Sequence, residues 1–132
     1  MRTVLDAAAL IAHLDESDAH HRRATAEIEV AGERGALLAS VLSVAEILVH
    51  PTRQGRAAEV ERALSEMDLE VLAVPDDAAA ALTRLRDRTR RNMPDCCVLL
   101  AAQQTSAIVL TFDEKLASAA RDLGLATHDS SA

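Results

Sequence analysis

Apolar residues along the chain follow two patterns, short continuous runs and longer segments with helical spacing. Short runs rich in Val, Ile and Leu are typical of strands that are covered on both faces of a sheet. These runs predict strands over residues 2–5, 36–39, 69–74 and 108–110, with a further short strand over 125–127.

Between these runs, apolar residues recur three and four positions apart, which is the spacing of amphipathic helices. Pro94 suits the first turn of one helix because it has no N–H to leave unpaired, and Pro51 is expected to stop another. Helices that alternate with strands predict an α/β fold with a parallel sheet. The predicted helices cover residues 7–14, 20–33, 42–49, 56–67, 78–91, 93–102 and 115–122.

The composition fits one globular domain, residues 1–132, with a core of small and aliphatic side chains. Hydrophobic residues make up 49% of the chain, and Phe112 is the only Phe, Tyr or Trp. The sequence has no apolar run long enough to span a bilayer and no signal-peptide pattern. The adjacent Cys96 and Cys97 point in different directions on a helix, so we expect no disulfide between them and a reduced, cytoplasmic protein.

The formal net charge is −7, which argues against a surface that coats nucleic acid indiscriminately but leaves room for a local basic strip. The sequence contains neither G-x-G-x-x-G nor a phosphate loop, which disfavours dinucleotide enzymes and phosphate-loop NTPases. His20 and His21 are interpreted as a polar helix surface, and Cys96 and Cys97 as inert buried residues.

Four acidic residues lie where predicted strands end or helices begin: Asp6, Glu46, Asp95 and Asp113. Each has a purely structural explanation. Asp6 suits an N-cap, Ser43 and Glu46 match a capping box, and a carboxylate in a first helical turn is favoured by the helix dipole. Taken singly, each acid therefore predicts a helix cap more strongly than a functional site.

Together, the four acids indicate a metal site. Ligands of open α/β sheets bind beyond the carboxyl ends of the strands, and carboxylates gathered there repel one another unless a cation neutralises them. Oxygen ligands without a paired His or Cys favour Mg²⁺ or Mn²⁺. Such ions activate water and stabilise in-line cleavage of a phosphodiester.

Four segments resemble PIN-domain ribonucleases in order and approximate spacing, specifically the VapC-type toxins of bacterial toxin–antitoxin systems. The resemblance covers nearly the whole chain. It implies a three-layer fold, with helices on both faces of a five-stranded parallel sheet in the order 3-2-1-4-5. The matching segments are Val4–Leu10, Ser43–Ile47, Pro94–Ala102 and Leu110–Asp113.

The resemblance also implies roles for individual residues. Asp6, Glu46 and Asp95 would hold Mg²⁺ (or Mn²⁺), and Asp113 would contribute directly or through water. Thr111 is a candidate for orienting Asp113 or a bound water, although a Thr at a strand end is equally well explained by structure. Together these acids form the predicted catalytic set.

The chain departs from the family pattern at two places. Cys96 and Cys97 stand where small or aliphatic residues are common. Leu116 stands where some relatives carry a further polar or acidic residue, so a second permanently bound metal ion is not implied.

The resemblance further implies an RNA substrate, a homodimer and a VapB-like antitoxin whose C-terminal segment covers the acidic cleft. The alternative is a cleavage-incompetent PIN scaffold that binds antitoxin or RNA, against which the presence of all four acids weighs. A haloacid-dehalogenase-like phosphatase would need an Asp at the position of Ala8 and is disfavoured.

Arg84, Arg88 and Arg91 share one stripe of the predicted helix over 78–91. They are candidates for contacts with RNA phosphates, and the alternative is a solvated helix face. Because the chain has no Tyr or Trp, we expect no platform for base stacking. Target choice is then expected to depend on RNA shape and backbone.

Overall fold

The computed structural model describes residues 1–129, which form a parallel sheet with helices on both faces. The strands pair in the order β3-β2-β1-β4, and every pairing is parallel. This confirms the predicted α/β class and the first four positions of the predicted strand order. The strands are β1 (Thr3–Leu5), β2 (Leu37–Ser40), β3 (Glu70–Leu72) and β4 (Ile108–Leu110).

Seven helices connect or follow these strands in the part of the chain that the structure describes. Pro94 lies in the first turn of the sixth helix, as its missing N–H predicts. The helices are α1 (Ala7–Leu14), α2 (His21–Arg34), α3 (Val41–Arg53), α4 (Ala57–Glu66), α5 (Ala79–Thr89), α6 (Met93–Thr105) and α7 (Glu114–Asp122).

Two apolar clusters lie on opposite faces of the sheet. Val4 belongs to the cluster that includes residues of α5, α6 and α7, whereas its neighbour Leu5 belongs to the cluster that includes residues of α1, α2 and α3. Val109 and Leu110 divide in the same way. This alternation is expected of strands covered on both sides, and it explains why the strands appear in the sequence as continuous apolar runs.

The predicted fifth strand over 125–127 is reduced to one parallel bridge, between Val109 and Thr127. The Val109 N–H donates to the Ala126 carbonyl at 2.9 Å, and the His128 N–H donates to the Val109 carbonyl at 3.1 Å. The Thr127 hydroxyl then donates to the Asp129 carboxylate at 2.7 Å. Within residues 1–129 the sheet therefore has four strands and a single bridge at the predicted fifth position.

Two helix ends differ from the prediction. Pro51 does not stop α3, because it removes only its own N–H and the Gln54 N–H still donates to the His50 carbonyl at 3.3 Å. Conversely, α5 ends two residues early, because Arg90 adopts a left-handed conformation with φ 62°. None of the helices within residues 1–129 is long and apolar enough to cross a membrane.

Candidate acidic active site

The pairing of β1 with β4 places Asp6 beside Thr111 at the carboxyl end of the sheet. Leu5 is in register with Leu110, so the next residue of each strand lies at the same level. The Thr111 hydroxyl donates a hydrogen bond to Oδ2 of Asp6. This contact joins residues 105 positions apart in the sequence, and strand pairing alone accounts for it.

Asp6 is a buried carboxylate, only 4% exposed. Its Oδ1 accepts from the Ala9 N–H at 2.9 Å, so Asp6 does cap α1. Burial raises the pKa of Asp6 to about 6, while the bonds from Thr111 and Ala9 oppose that rise. The negative charges of Asp95 and Asp113 raise the pKa of Asp6 further, as expected of carboxylates placed near it.

Thr111 links two of the acids. Its hydroxyl donates to Asp6 and accepts from the Asp113 backbone N–H at 3.0 Å. The contact with Asp113 is to its main chain, and the expectation that Thr111 orients Asp113 or a bound water stays a prediction. Thr111 is positioned to hold the Asp6 carboxylate.

Asp113 caps α7, as its position before that helix predicts. Its Oδ1 accepts from the N–H groups of Lys115, at 2.9 Å, and Leu116, at 3.4 Å. The capping bonds use one carboxylate oxygen and fix the direction of the other. A capping role and a ligand role for Asp113 are therefore compatible.

Asp95 lies in the first turn of α6 and forms an ion pair with Arg91. The Arg91 Nε is 3.2 Å from the Asp95 Oδ2, and the two side chains are only 22% and 18% exposed. Burial raises the pKa of Asp95, the bond and charge of Arg91 lower it, and Asp113 raises it. The sequence prediction missed this pair, although the i, i+4 spacing of the two residues is a signal that could have indicated it.

Glu46 is exposed and does not form the predicted capping box. The N-cap of α3 is Ser40, whose hydroxyl accepts from the Leu42 N–H at 3.2 Å, whereas Ser43 is buried inside the helix. Burial and the charge of Asp95 raise the pKa of Glu46. Glu46 therefore has no capping role, and the acid whose charge reaches it is Asp95.

The predicted arginine stripe is not formed as expected. Because α5 ends at Thr89, Arg91 leaves the face that Arg84 and Arg88 share and turns to Asp95. Arg84 is exposed, and Arg88 donates to the Asp122 carbonyl at the end of α7 at 3.1 Å.

The donor chemistry of the four acids suits a hard divalent cation, because all the donors are carboxylate oxygens. Their arrangement is more open than a coordination shell. Within residues 1–129, no group of three or more His, Cys, Asp or Glu side chains is placed to hold a metal ion as the side chains stand. Asp6 contacts Thr111, and Asp95 contacts Arg91, so binding would require these side chains to adjust.

The fold and the acids define a class of protein, a parallel α/β domain with carboxylates beyond the ends of its strands. Similarity to known proteins agrees with this class. The family model for the PIN domain matches residues 3–122. Because this match covers most of the chain, the protein belongs to the PIN-domain family. No curated protein is detectably similar to the chain.

Three solved structures with the same fold are distant from this chain in sequence. A toxin–antitoxin complex from Klebsiella pneumoniae matches with 21% identity over 86% of this chain and 88% of that chain, at a TM-score of 0.71. PAE2754 from Pyrobaculum aerophilum matches with 21% identity over 98% of this chain and 85% of that chain, at a TM-score of 0.64. VapC20 from Mycobacterium tuberculosis is a toxin that cleaves the sarcin–ricin loop. It matches with 16% identity over 89% of this chain and 94% of that chain, at a TM-score of 0.73.

Proposed function

We propose that this protein is a metal-dependent endoribonuclease and the toxin of a VapBC-like toxin–antitoxin system. One observation carries the proposal. In this PIN-domain chain, acids from separate parts of the sequence lie near one end of the sheet, where Asp95 and Asp113 raise the pKa of Asp6 and Asp95 raises the pKa of Glu46. Two of the structural neighbours, a toxin–antitoxin complex and an RNA-cleaving toxin, support the same function.

The proposed metal ligands are Asp6, Glu46 and Asp95, with Asp113 contributing directly or through water. A bound Mg²⁺ or Mn²⁺ would supply an activated water and neutralise charge that develops on the phosphodiester. Thr111 holds Asp6 in one orientation through its hydroxyl. The chain needs no covalent nucleophile for this chemistry, because water attacks the phosphorus directly.

Basic side chains beside the acids are proposed to hold the RNA backbone. A cleft of about 300 Å³ between the ends of α5 and α7 is lined by Arg88, Arg91 and Lys115. Arg91 also contacts Asp95, so the cleft adjoins the acidic cluster, and Arg84 lies one turn from Arg88 on the exposed face of α5. Such contacts position a strand without reading its bases.

The proposed partner is a VapB-like antitoxin that covers the acidic cleft, within a homodimer located in the cytoplasm. An antitoxin segment that carries a cation would neutralise the same carboxylates as a metal ion, so the two should compete. The neighbouring toxin–antitoxin complex supports the existence of such a partner.

The test compares RNA cleavage by the wild type with cleavage by Asp6→Asn and Asp95→Asn in the presence of Mn²⁺ or Mg²⁺. Both variants should lose cleavage and remain folded, because amides keep the shape and remove the charge. Asp87→Asn, on the exposed face of α5, is the matched control and should cleave normally. Metal-dependent cleavage that persists in both site variants would refute the proposal.

A cleavage-incompetent scaffold that binds antitoxin or RNA is the second candidate. It is favoured by the Arg91–Asp95 ion pair, which gives Asp95 a counter-ion without any metal. Measurements of Tm and of RNA cleavage with added Mn²⁺ distinguish the nuclease from the scaffold. A rise in Tm together with RNA cleavage supports the nuclease, whereas metal binding without cleavage supports the scaffold.

A further inference from the structure

The single aromatic residue of the protein, Phe112, lies in a stack of rings. The His20 imidazole is nearly parallel to the Phe112 ring, with an interplanar angle of 7° and centroids 5.2 Å apart. The His128 ring meets Phe112 edge-on at 5.5 Å, and the Arg23 guanidinium carbon lies 5.4 Å from the Phe112 centroid. The stack thus joins three distant parts of the chain.

This stack lies at the same edge of the sheet as the acids. Phe112 stands between Thr111 and Asp113 in the chain, so its Cα is about 3.8 Å from the Cα atom of each of these site residues. Helix α2 ends at Arg34, whose carbonyl accepts from the Met1 amino group at 3.3 Å at the amino end of β1. Its first residues, next to His20, therefore lie towards the carboxyl end of the sheet.

The stack presents one open aromatic face. Phe112 is half-buried and packs against the core cluster that contains Leu5 and Leu110, so its ring is held in place. His20 is exposed. Because one face of its ring lies on Phe112, the opposite face is the one open to solvent. Core packing explains the position of Phe112. It does not explain why the exposed His20 ring stacks on Phe112.

The stack has one cation beside it, the Arg23 guanidinium, in a segment of mixed charge. Arg22 and Arg23 follow His20 and His21, whereas Asp15, Glu16 and Asp18 precede them, and the Asp18 carboxylate accepts from the His20 backbone N–H at 2.8 Å. Glu27 opposes Arg23 in part, since its carboxylate is 3.5 Å from the Arg23 Nε and 3.7 Å from the His128 Nε2. A flat exposed ring beside a cation is the combination that binds unpaired bases of single-stranded nucleic acid.

We propose that His20, supported by Phe112 and flanked by Arg23, stacks against an unpaired base of the RNA next to the bond that is cleaved. This inference rests on the proposed ribonuclease function and adds a base contact that the lack of Tyr and Trp argued against. It predicts a preference for single-stranded or looped RNA, whose bases are free to stack.

The test measures binding of two fluorescent strands to the Asp6→Asn protein, which leaves RNA uncut. One strand is a short single-stranded RNA, and the other is an abasic ribose-phosphate strand of equal length. His20→Ala should weaken binding of the RNA by roughly 5- to 100-fold, as expected from the loss of one stacked base, and leave the abasic strand unaffected. His20→Phe should retain RNA affinity, and His50→Ala, another exposed histidine, is the control.

Four results would overturn the inference, and the first three concern the His20 variants. They are equal losses on the two strands in His20→Ala, which would indicate a phosphate contact, no loss on either strand, or a loss in His20→Phe as large as in His20→Ala. Failure of RNA to bind to the Asp6→Asn protein at all would have the same consequence. Cleavage by the wild type is measured separately, so the ribonuclease proposal stands or fails on its own result.

Discussion

Asp6 is the site residue whose negative charge is most strongly opposed by its surroundings. It is buried, it lies near two other acids, and its charge is opposed by burial more than it is stabilised by Thr111 and Ala9. A buried carboxylate that is ionised at neutral pH destabilises the fold unless a cation compensates. The position is therefore explained better by a ligand that the protein binds than by the stability of the chain itself.

Asp6→Asn should stabilise the metal-free protein at neutral pH. The folded pKa of about 6 lies above the ordinary value of 3.8, so the folded state binds more protons than the unfolded state between these values. Stability of the wild type in EDTA should thus fall as the pH rises from about 4 to about 6, by up to about 3 kcal/mol at 1.36 kcal/mol per pKa unit. The variant should lack the part of this decline that Asp6 contributes, and urea denaturation at several pH values measures the difference.

Asp87→Asn, at an exposed position of α5, is the control and should retain the decline seen in the wild type. An Asp6→Asn protein that is less stable than the wild type at pH 7 would contradict this explanation. In that case the capping bond to Ala9 and the bond from Thr111 would outweigh the desolvation of the charge.

Arg91 is the counter-ion of Asp95 in the metal-free protein, so its removal should favour metal binding. A half-buried pair of this kind is worth about 1 kcal/mol, and Arg91→Gln should therefore bind Mn²⁺ roughly 5-fold more tightly. Isothermal titration with Mn²⁺ measures the change. Arg84→Gln, which removes an exposed cation from α5, should bind Mn²⁺ as the wild type does, and equal affinity in both variants would contradict the assignment.

At the scale of elements, α6 was predicted over residues 93–102, extends to Thr105, and is buried on more of its surface than its spacing indicates. Cys96, Cys97 and the five residues that follow are all buried, because α6 packs against β1, β2 and β4 as well as against α5. The polar stripe of an amphipathic helix is therefore missing, and Asn92 and Pro94 at its start are the clear local signals. This burial holds Asp95 rigidly at the edge of the site.

The end of α6 offers a stabilising substitution that is independent of the site. Ser106 caps the helix in a left-handed conformation with φ 56°, which glycine adopts without steric cost. Ser106→Gly should raise the free energy of unfolding by about 0.5–1 kcal/mol, and Ser106→Val should lower it. Urea denaturation tests both, and RNA cleavage should be unchanged because Ser106 precedes β4, at the opposite end of the strand from the acids.

At the scale of the whole molecule, the net charge of −7 limits how the protein holds RNA. The cations proposed to contact RNA are Arg84 and Arg88 of α5, Arg91 and Arg23, and the remaining cations are distributed along the chain. Binding should therefore combine a few phosphate contacts with specific positioning. A general attraction to nucleic acid is not expected.

The dependence of RNA binding on salt should accordingly be shallow. If Arg23, Arg84, Arg88 and Arg91 each neutralise one phosphate, the slope of log K against log salt should be no steeper than about −3 for a single strand. Fluorescence anisotropy of the Asp6→Asn protein at increasing NaCl concentrations gives this slope. A much steeper slope would show a larger basic surface than the structure contains.

Most of the elements were predictable from the sequence because their signals are local. The α1 bounds and the α/β class agree with the prediction from local patterns, and the order of the first four strands agrees with what the family resemblance implied. The errors lie where local signals compete. Ser40 rather than Ser43 caps α3, and the left-handed Arg90 separates Arg91 from the stripe of α5. The first difference removes the capping role predicted for Glu46, and the second places Arg91 beside Asp95.

The sequence by itself determined which residues are acidic, where they stand relative to strand ends, and which family the chain resembles. These properties depend on composition, spacing and short-range hydrogen bonding. Only the tertiary structure decided which side chains meet: Thr111 with Asp6, Arg91 with Asp95, and His20 with Phe112. The first and last of these contacts join distant parts of the chain, and the second depends on where α5 stops, so each follows from how the elements end and pack.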